Sequence, residues 1–160
     1  MNYTEMSVLE IKKSLGYNEN EIVEPEKLAE KLGIGICETS LDQKHDGTKI
    51  ICAIVNKEKI TVFYHKKLAD GQGSEKVALT YALVHCVLCD TENTMITTGT
   101  TMTEQEEELI YELLMPESLV AAELASGASI NSLAKTFGMP KKFVRERLDA
   151  MPVVLVNKSV

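Results

Sequence analysis

Between Ser74 and Cys89 the sequence offers no polar helix face. Val77, Ala78, Leu79, Ala82, Leu83, Val84, Val87 and Leu88 fall all round a helical wheel. A helix that is apolar on every side has to be covered on every side, so this run is expected to form the central, buried helix of the domain. The loop Asp70-Gly71-Gln72-Gly73 precedes it, and Ser74 is suited to cap its N-terminus.

The remaining elements are shorter. Val8, Ile11 and Leu15 repeat at helical spacing before Gly16, and Leu28, Ala29 and Leu32 do so between Pro25 and Gly33. Ile34 to Leu41 reads as a strand, and Asp46-Gly47 as a turn. Thr48 to Val55 and Lys59 to His65 are rich in Ile, Val, Phe and Tyr, with Asn56-Lys57-Glu58 between them, which predicts a β-hairpin. Thr91 to Met102 is polar and Thr-rich and reads as a mobile loop. Thr103 caps a helix beginning Glu104-Gln105-Glu106-Glu107-Glu108, with its acids where the helix dipole favours them. Pro116 and Glu117 interrupt that helix, and a further one runs to about Ala125. Ser129 to Met151 divides at Phe137-Gly138-Met139-Pro140 into two short helices, and Val153-Val154-Leu155-Val156 is strand-like. The expected fold class is α+β: N-terminal helices, a small antiparallel β-sheet, a central buried helix and a C-terminal helical pair. The division expected is 1–125 for the main domain and 126–160 for the helical pair with its tail, packed on the first.

With 160 residues, 44% of them hydrophobic, the chain can bury a real core in one domain plus a small appendage. The formal net charge of −7 argues against nucleic-acid or anionic-membrane binding by the surface as a whole. No apolar run approaches the roughly 18 residues of a membrane span. Met1-Asn2-Tyr3-Thr4-Glu5 lacks the basic and then apolar pattern of a signal peptide, so a cytoplasmic location with reduced cysteines is expected. Cys37 and Cys52 lie in strand-like runs and read as small buried hydrophobes. Cys86 and Cys89 have C-x-x-C spacing at a helix end, where the dipole disfavours a thiolate, so a redox role is not expected.

The central run also has the frame of a zinc-peptidase helix. In His-Glu-x-x-His the two His sit one turn apart and hold zinc, and the Glu beside the first acts as general base on the metal-bound water. Here those five positions read Tyr81-Ala82-Leu83-Val84-His85. One ligand type remains, and the base position, Ala82, is a methyl group. Loss of a general base alone slows such a reaction by roughly 10²- to 10⁴-fold.

Taken in order, these pieces resemble the ImmA/IrrE family, a group with a zincin-like α+β peptidase domain. The resemblance rests on Pro25-Glu26-Lys27-Leu28-Ala29-Glu30-Lys31-Leu32-Gly33-Ile34, the hairpin, Lys76 to His85, Leu113-Leu114-Met115-Pro116, and the helical pair Ser129 to Leu148. It implies a cytoplasmic protein of a mobile element, phage or stress response. Active members use zinc to cut helix-turn-helix transcriptional repressors. The resemblance implies that Tyr81 and His85 stand at the two His positions. It also implies that the third ligand, a Glu in active members, falls at Gln105 when counted back from Pro116; a slip of one residue would make it Glu104 or Glu106. A further His position of many members is Cys89.

Two readings of the site stay open at this stage. Tyr81 and His85 can be packed, hydrogen-bonded residues with no metal. Alternatively, His85 and Cys89, with Glu104, Glu106 or Glu107, can form a repurposed zinc site. His45 and His65 are expected to be exposed. The segment Ser129 to Leu148 has the rhythm of a helix-turn-helix, and Lys141, Lys142, Arg145 and Arg147 are its candidate nucleic-acid contacts; Lys135 adds to its basic character. The competing reading packs its apolar stripe on the core. The expected function is that of a catalytically impaired relative that needs no cofactor and binds a protein partner, a helix-turn-helix regulator. The alternatives are an active zinc metalloprotease with non-standard ligands and a DNA-binding regulator.

Overall fold

A computed structural model of the chain describes the backbone of residues 3–40, 52–56, 59–64, 74–88, 93–96 and 102–152, and the side chains of 3–36, 76–88 and 102–152. His45, His65, Cys89, the Asp46-Gly47 turn and the tail from Val153 lie outside the described residues, as do the side chains of Cys37 and Cys52.

After a 3-10 turn at Tyr3–Glu5, α1 (Val8–Ser14) begins at a capping box. The hydroxyl of Ser7 accepts from the amide of Glu10, and the Glu10 carboxylate accepts from the amide of Ser7. Helix α2 (Pro25–Leu32) starts with Pro at its first turn, where a missing N–H does no harm, and ends at Gly33 with φ of 70°. A side chain would be strained at that left-handed position, which is why Gly terminates the helix there.

The sheet contains β1 (Gly35–Ser40), β2 (Cys52–Asn56), β3 (Lys59–Tyr64) and β4 (Asn93–Ile96), in the order β1-β3-β2-β4. Strands β2 and β3 pair antiparallel across the expected hairpin, with Val55 opposite Ile60 and Cys52 opposite Phe63. The expectation of a small antiparallel sheet is corrected in part by β1, which runs parallel to β3 with Gly35 opposite Lys59. Strand periodicity signals which residues share a face, but not which edge accepts a strand or in which direction. A second correction concerns the segment Thr91 to Met102, read as a loop. Four of its residues form β4, which pairs antiparallel with β2, Val55 opposite Thr94. The β-branched Thr94 and Ile96 suit a strand once a sheet edge is available.

Helix α3 (Ser74–Leu88) packs on α2, on β2 and β3, and on α4 (Glu104–Leu114). Its Leu79, Ala82, Leu83 and Val84 join Leu109, Ile110, Leu113 and Leu114 of α4 in the core. Each of the Leu, Ile and Val side chains among these contributes about 1.5–3 kcal/mol relative to exposure. The same core continues through α5 (Glu117–Ala125) into α6 (Ile130–Phe137) and α7 (Lys141–Ala150), which add Leu133, Phe137, Phe143 and Val144. Gly138, at φ 64°, makes the turn between α6 and α7.

Two cations inside this core tie distant parts of the chain to α4. Lys12 is 0% exposed, and its ammonium donates to the carbonyls of Glu19 and Glu112, each at 2.9 Å. Burial holds its pKa below the ordinary lysine value, against the opposing pull of Glu112. Arg147 of α7 is 4% exposed. Its Nη2 lies 2.8 Å from Glu112 Oε1, and its Nε donates to the carbonyl of Met115 at 2.9 Å. The expectation that Arg147 contacts nucleic acid is therefore corrected, because its guanidinium is engaged inside the fold and out of reach of a phosphate.

Candidate functional site

Tyr81 and His85 are separated by one turn of α3, so they share one helix face. Ala82 faces the core and is 0% exposed. His85 is half-buried, and its Nδ1 lies 3.4 Å from Oε2 of Glu106 on α4. That carboxylate is itself held. Thr103 Oγ1 donates to Glu106 Oε1 at 3.2 Å and accepts from the Glu106 amide at 3.2 Å, so the residue that caps α4 also orients the acid in its first turn. Glu106 is buried at 3% exposure. A nearly buried carboxylate beside an imidazole makes the Nδ1–H donor the natural arrangement.

The adjacent residue points elsewhere. The side-chain amide of Gln105 donates to the carbonyls of Tyr3 and Met6 at 2.7 and 3.2 Å, which fastens the N-terminal turn onto α4. The expectation that Gln105 stands opposite His85 is thus corrected in favour of its neighbour. One residue along a helix rotates the face by about 100°, enough to move a side chain from one contact surface to another. Glu104 is exposed in the first turn of α4, away from the core.

Tyr81 has its phenol pKa raised, first by burial and then by the nearby Glu146 and Glu107 carboxylates. A second phenol behaves alike. Tyr111, on α4, is pushed up to about 12 by burial, then by Glu146, Tyr81 and Glu107. Its ring packs against Phe143 with centroids 5.4 Å apart, and the Arg147 guanidinium lies over the ring at 5.4 Å. A group whose folded pKa is raised holds its full stabilising contribution below its unfolded pKa and loses it as pH climbs through the folded value. For Tyr111 that window runs from 10 to about 12. Stability is therefore expected to fall across this interval, and the fall should be shallower in Tyr111→Phe. Thermal melts at stepped alkaline pH, read beside phenolate absorbance, check this.

The chemistry of these donors decides what the site can hold. Zinc in a catalytic site takes three protein ligands and leaves one position open. Among the described residues no three His, Cys, Asp or Glu side chains come together as metal donors. His85 and Glu106 supply two. Tyr81, on the same face of α3, is kept in its neutral phenol form, a weak ligand. This described set does not fit a three-ligand zinc centre, and no reaction step follows from it.

On the C-terminal pair, Lys135, Lys141, Lys142 and Arg145 are exposed, while Leu133, Phe137, Phe143 and Val144 are buried. Lys142 and Glu146 form a surface pair at 4.0 Å, one helical turn apart. One residue that shapes the site, Tyr111, carried no signal of its own and read as part of an apolar stripe, whereas Glu107 was already a candidate metal donor in the sequence. Glu112 did carry a signal: a lone acid among Leu109, Ile110, Tyr111, Leu113 and Leu114 needs a buried partner.

No helix among the described residues is long and apolar enough to cross a membrane. No curated protein matches the chain. The family model of the IrrE N-terminal-like domain, a zinc-metallopeptidase-like class, matches residues 29–149, from within α2 to the end of α7 and well over half the sequence. By that match, and by the order of elements on which it falls, the chain belongs to the ImmA/IrrE family.

Proposed function

We propose that this chain is a family member with impaired peptidase chemistry that works by binding a protein partner, a helix-turn-helix transcriptional regulator, on the surface where active relatives hold substrate. The observation that carries the reading is the pairing of His85 with Glu106. Two groups suited to holding a metal are set against each other, while the turn before them offers Tyr81 and the base position offers buried Ala82. A scaffold that retains its surface and lacks a general base retains recognition most easily. The cytoplasm, where such regulators act, is the matching location, and a mobile element or phage is the matching genetic setting.

Calorimetric titration with any helix-turn-helix regulator encoded beside its gene tests this. Saturable binding that a chelator leaves unchanged is expected. Absence of binding contradicts the proposal.

A second reading is favoured by the same pair. His85 and Glu106 are two of the donors a non-standard zinc protease would use, with Cys89 as the third. It predicts cleavage of the regulator that both a chelator and His85→Ala abolish. A third reading, DNA binding through Lys141, Lys142 and Arg145, is supported by their exposure on one helix. It predicts binding that weakens steeply with salt.

A further inference from the structure

The first turn of α4 carries Glu106, the partner of His85, yet its own residues do little to fix where that turn points. Glu104-Gln105-Glu106-Glu107-Glu108 places four mutually repelling acids around one neutral amide. The first apolar anchor of α4 is the buried Leu109, whereas Glu104, Glu107 and Glu108 are exposed. A first turn also lacks intrahelical partners for its amides. The Thr103 cap orients the Glu106 carboxylate relative to α4. It does not set the rotation of that turn relative to α3.

The tie comes from residues 3–23, which precede the stretch matched by the family model. This arm meets α4 at both ends. At the first turn, the Gln105 side-chain amide donates to the carbonyls of Tyr3 and Met6. At the last turn, the Lys12 ammonium donates to the Glu112 carbonyl, and the Val23 amide donates to the Leu113 carbonyl at 2.8 Å. Both are carbonyls that a helix end leaves without intrahelical partners. Between the two ends, α1 packs along α4 with Ile11 fully buried in the core. Beyond α4, the Ser118 hydroxyl donates to the side-chain oxygen of Asn20.

We infer that residues 3–23 act as a positioning arm, with Gln105 as the positioning residue that sets the rotational phase of the first turn of α4 and so holds Glu106 against His85. Adjacent side chains on a helix point about 100° apart. With Gln105 pinned to the arm, Glu106 is turned toward α3, where its Oε2 lies 3.4 Å from His85 Nδ1. An amide suits the task because its N–H groups donate to both carbonyls. A carboxylate at that position would set acceptor against acceptor. The inference concerns how the pair is held, whether that surface takes a partner or a metal, and does not depend on the reading above. Whatever loosens the arm is expected to part Glu106 from His85.

The test is nitrogen NMR of the His85 ring in the intact chain, at a pH above the ordinary histidine range, where the neutral ring shows which nitrogen holds the proton. With Glu106 opposite, the proton is expected on Nδ1. Glu106→Ala, which removes the carboxylate, marks the signature of a lost contact. Gln105→Met, which keeps the length of the side chain and loses its donors, is expected to shift the ring toward that signature. Gln105→Asn, one methylene short of the carbonyls, should do so in part, and it remains readable should the first substitution fail to fold. Glu108→Gln, which removes an exposed charge from the same turn, should leave the ring unchanged. The result that overturns the inference is Gln105→Met or Gln105→Asn, folded by thermal melting, with the His85 ring of the unsubstituted chain. A shift in Glu108→Gln as large as in Gln105→Met overturns it too, since any change in that turn would then reach His85. So does a ring that Glu106→Ala leaves unchanged, since there would be no pair to position.

Discussion

Arg147→Ala is expected to destabilise the chain by about 3–5 kcal/mol, while Arg145→Ala, two residues away on the same helix, changes stability by less than about 0.5 kcal/mol. The difference follows from where the two guanidinium groups lie. Arg145 is exposed on α7. Arg147 is buried, joins Glu112 at 2.8 Å and donates to the Met115 carbonyl at the end of α4. Its removal leaves the Glu112 carboxylate in the core with, among the described residues, only the amide of Glu117, at 3.3 Å, to hydrogen-bond it. It also strips a cation from the ring of Tyr111. Lys12 compensates only in part: its charge interacts with that of Glu112, but its hydrogen bond goes to the Glu112 carbonyl and not to the carboxylate. Much of the expected loss is therefore the penalty of an orphaned buried charge, more than the net worth of the pair. Replacing both partners, as in Glu112→Leu/Arg147→Met, should be far milder than Arg147→Ala alone. Urea unfolding of the three variants checks both statements, and a double variant as damaged as the single one would refute the argument.

The second large effect is a gain. Tyr81→His is expected to convert a chain that takes up little zinc into one that binds about one zinc per molecule. The substitution places an imidazole one turn before His85, on the face that looks toward Glu106, and completes three donors of suitable type. Binding to the folded state alone raises stability by about 2.7 kcal/mol when free zinc is 100 times Kd, so the melting temperature should rise with zinc in Y81H and not in the unsubstituted chain. Adding His85→Ala to Y81H should erase the gain. Zinc content by mass spectrometry and melting curves at stepped zinc concentration provide the measurement. If Y81H remains metal-free and folded, Glu106 does not stand where a third ligand must.

These two cases also mark what the sequence makes legible. Helix ends were readable because single residues set them: Pro25 opens α2, and Gly33 and Gly138 occupy left-handed positions. The all-apolar run of α3 was readable because its pattern admits little else. The choice between Gln105 and Glu106 was not, since it turns on one residue of phase in α4 and both side chains suit a helix start. Which of them meets His85 is decided by tertiary packing, with the N-terminal turn taking Gln105. Arg147 was misread for a related reason. In a run of Lys141, Lys142, Arg145 and Arg147, composition cannot tell a solvated cation from a buried one; the apolar phase of Phe143 and Val144 carries Arg147 inward with them. Strand β4 escaped because four residues are too few to show a period, and its stabilisation comes from the edge of β2.

The proposed exchange of metal chemistry for recognition is tested most directly by one measurement. The unmodified chain would be incubated with any helix-turn-helix regulator encoded beside its gene and added zinc, and the mixture followed by native and denaturing mass spectrometry. The predicted result is a complex containing the regulator at full length, at every time point and with or without chelator. Regulator fragments that appear with time, and disappear with chelator and with His85→Ala, would contradict the account and establish a working metal site on this scaffold.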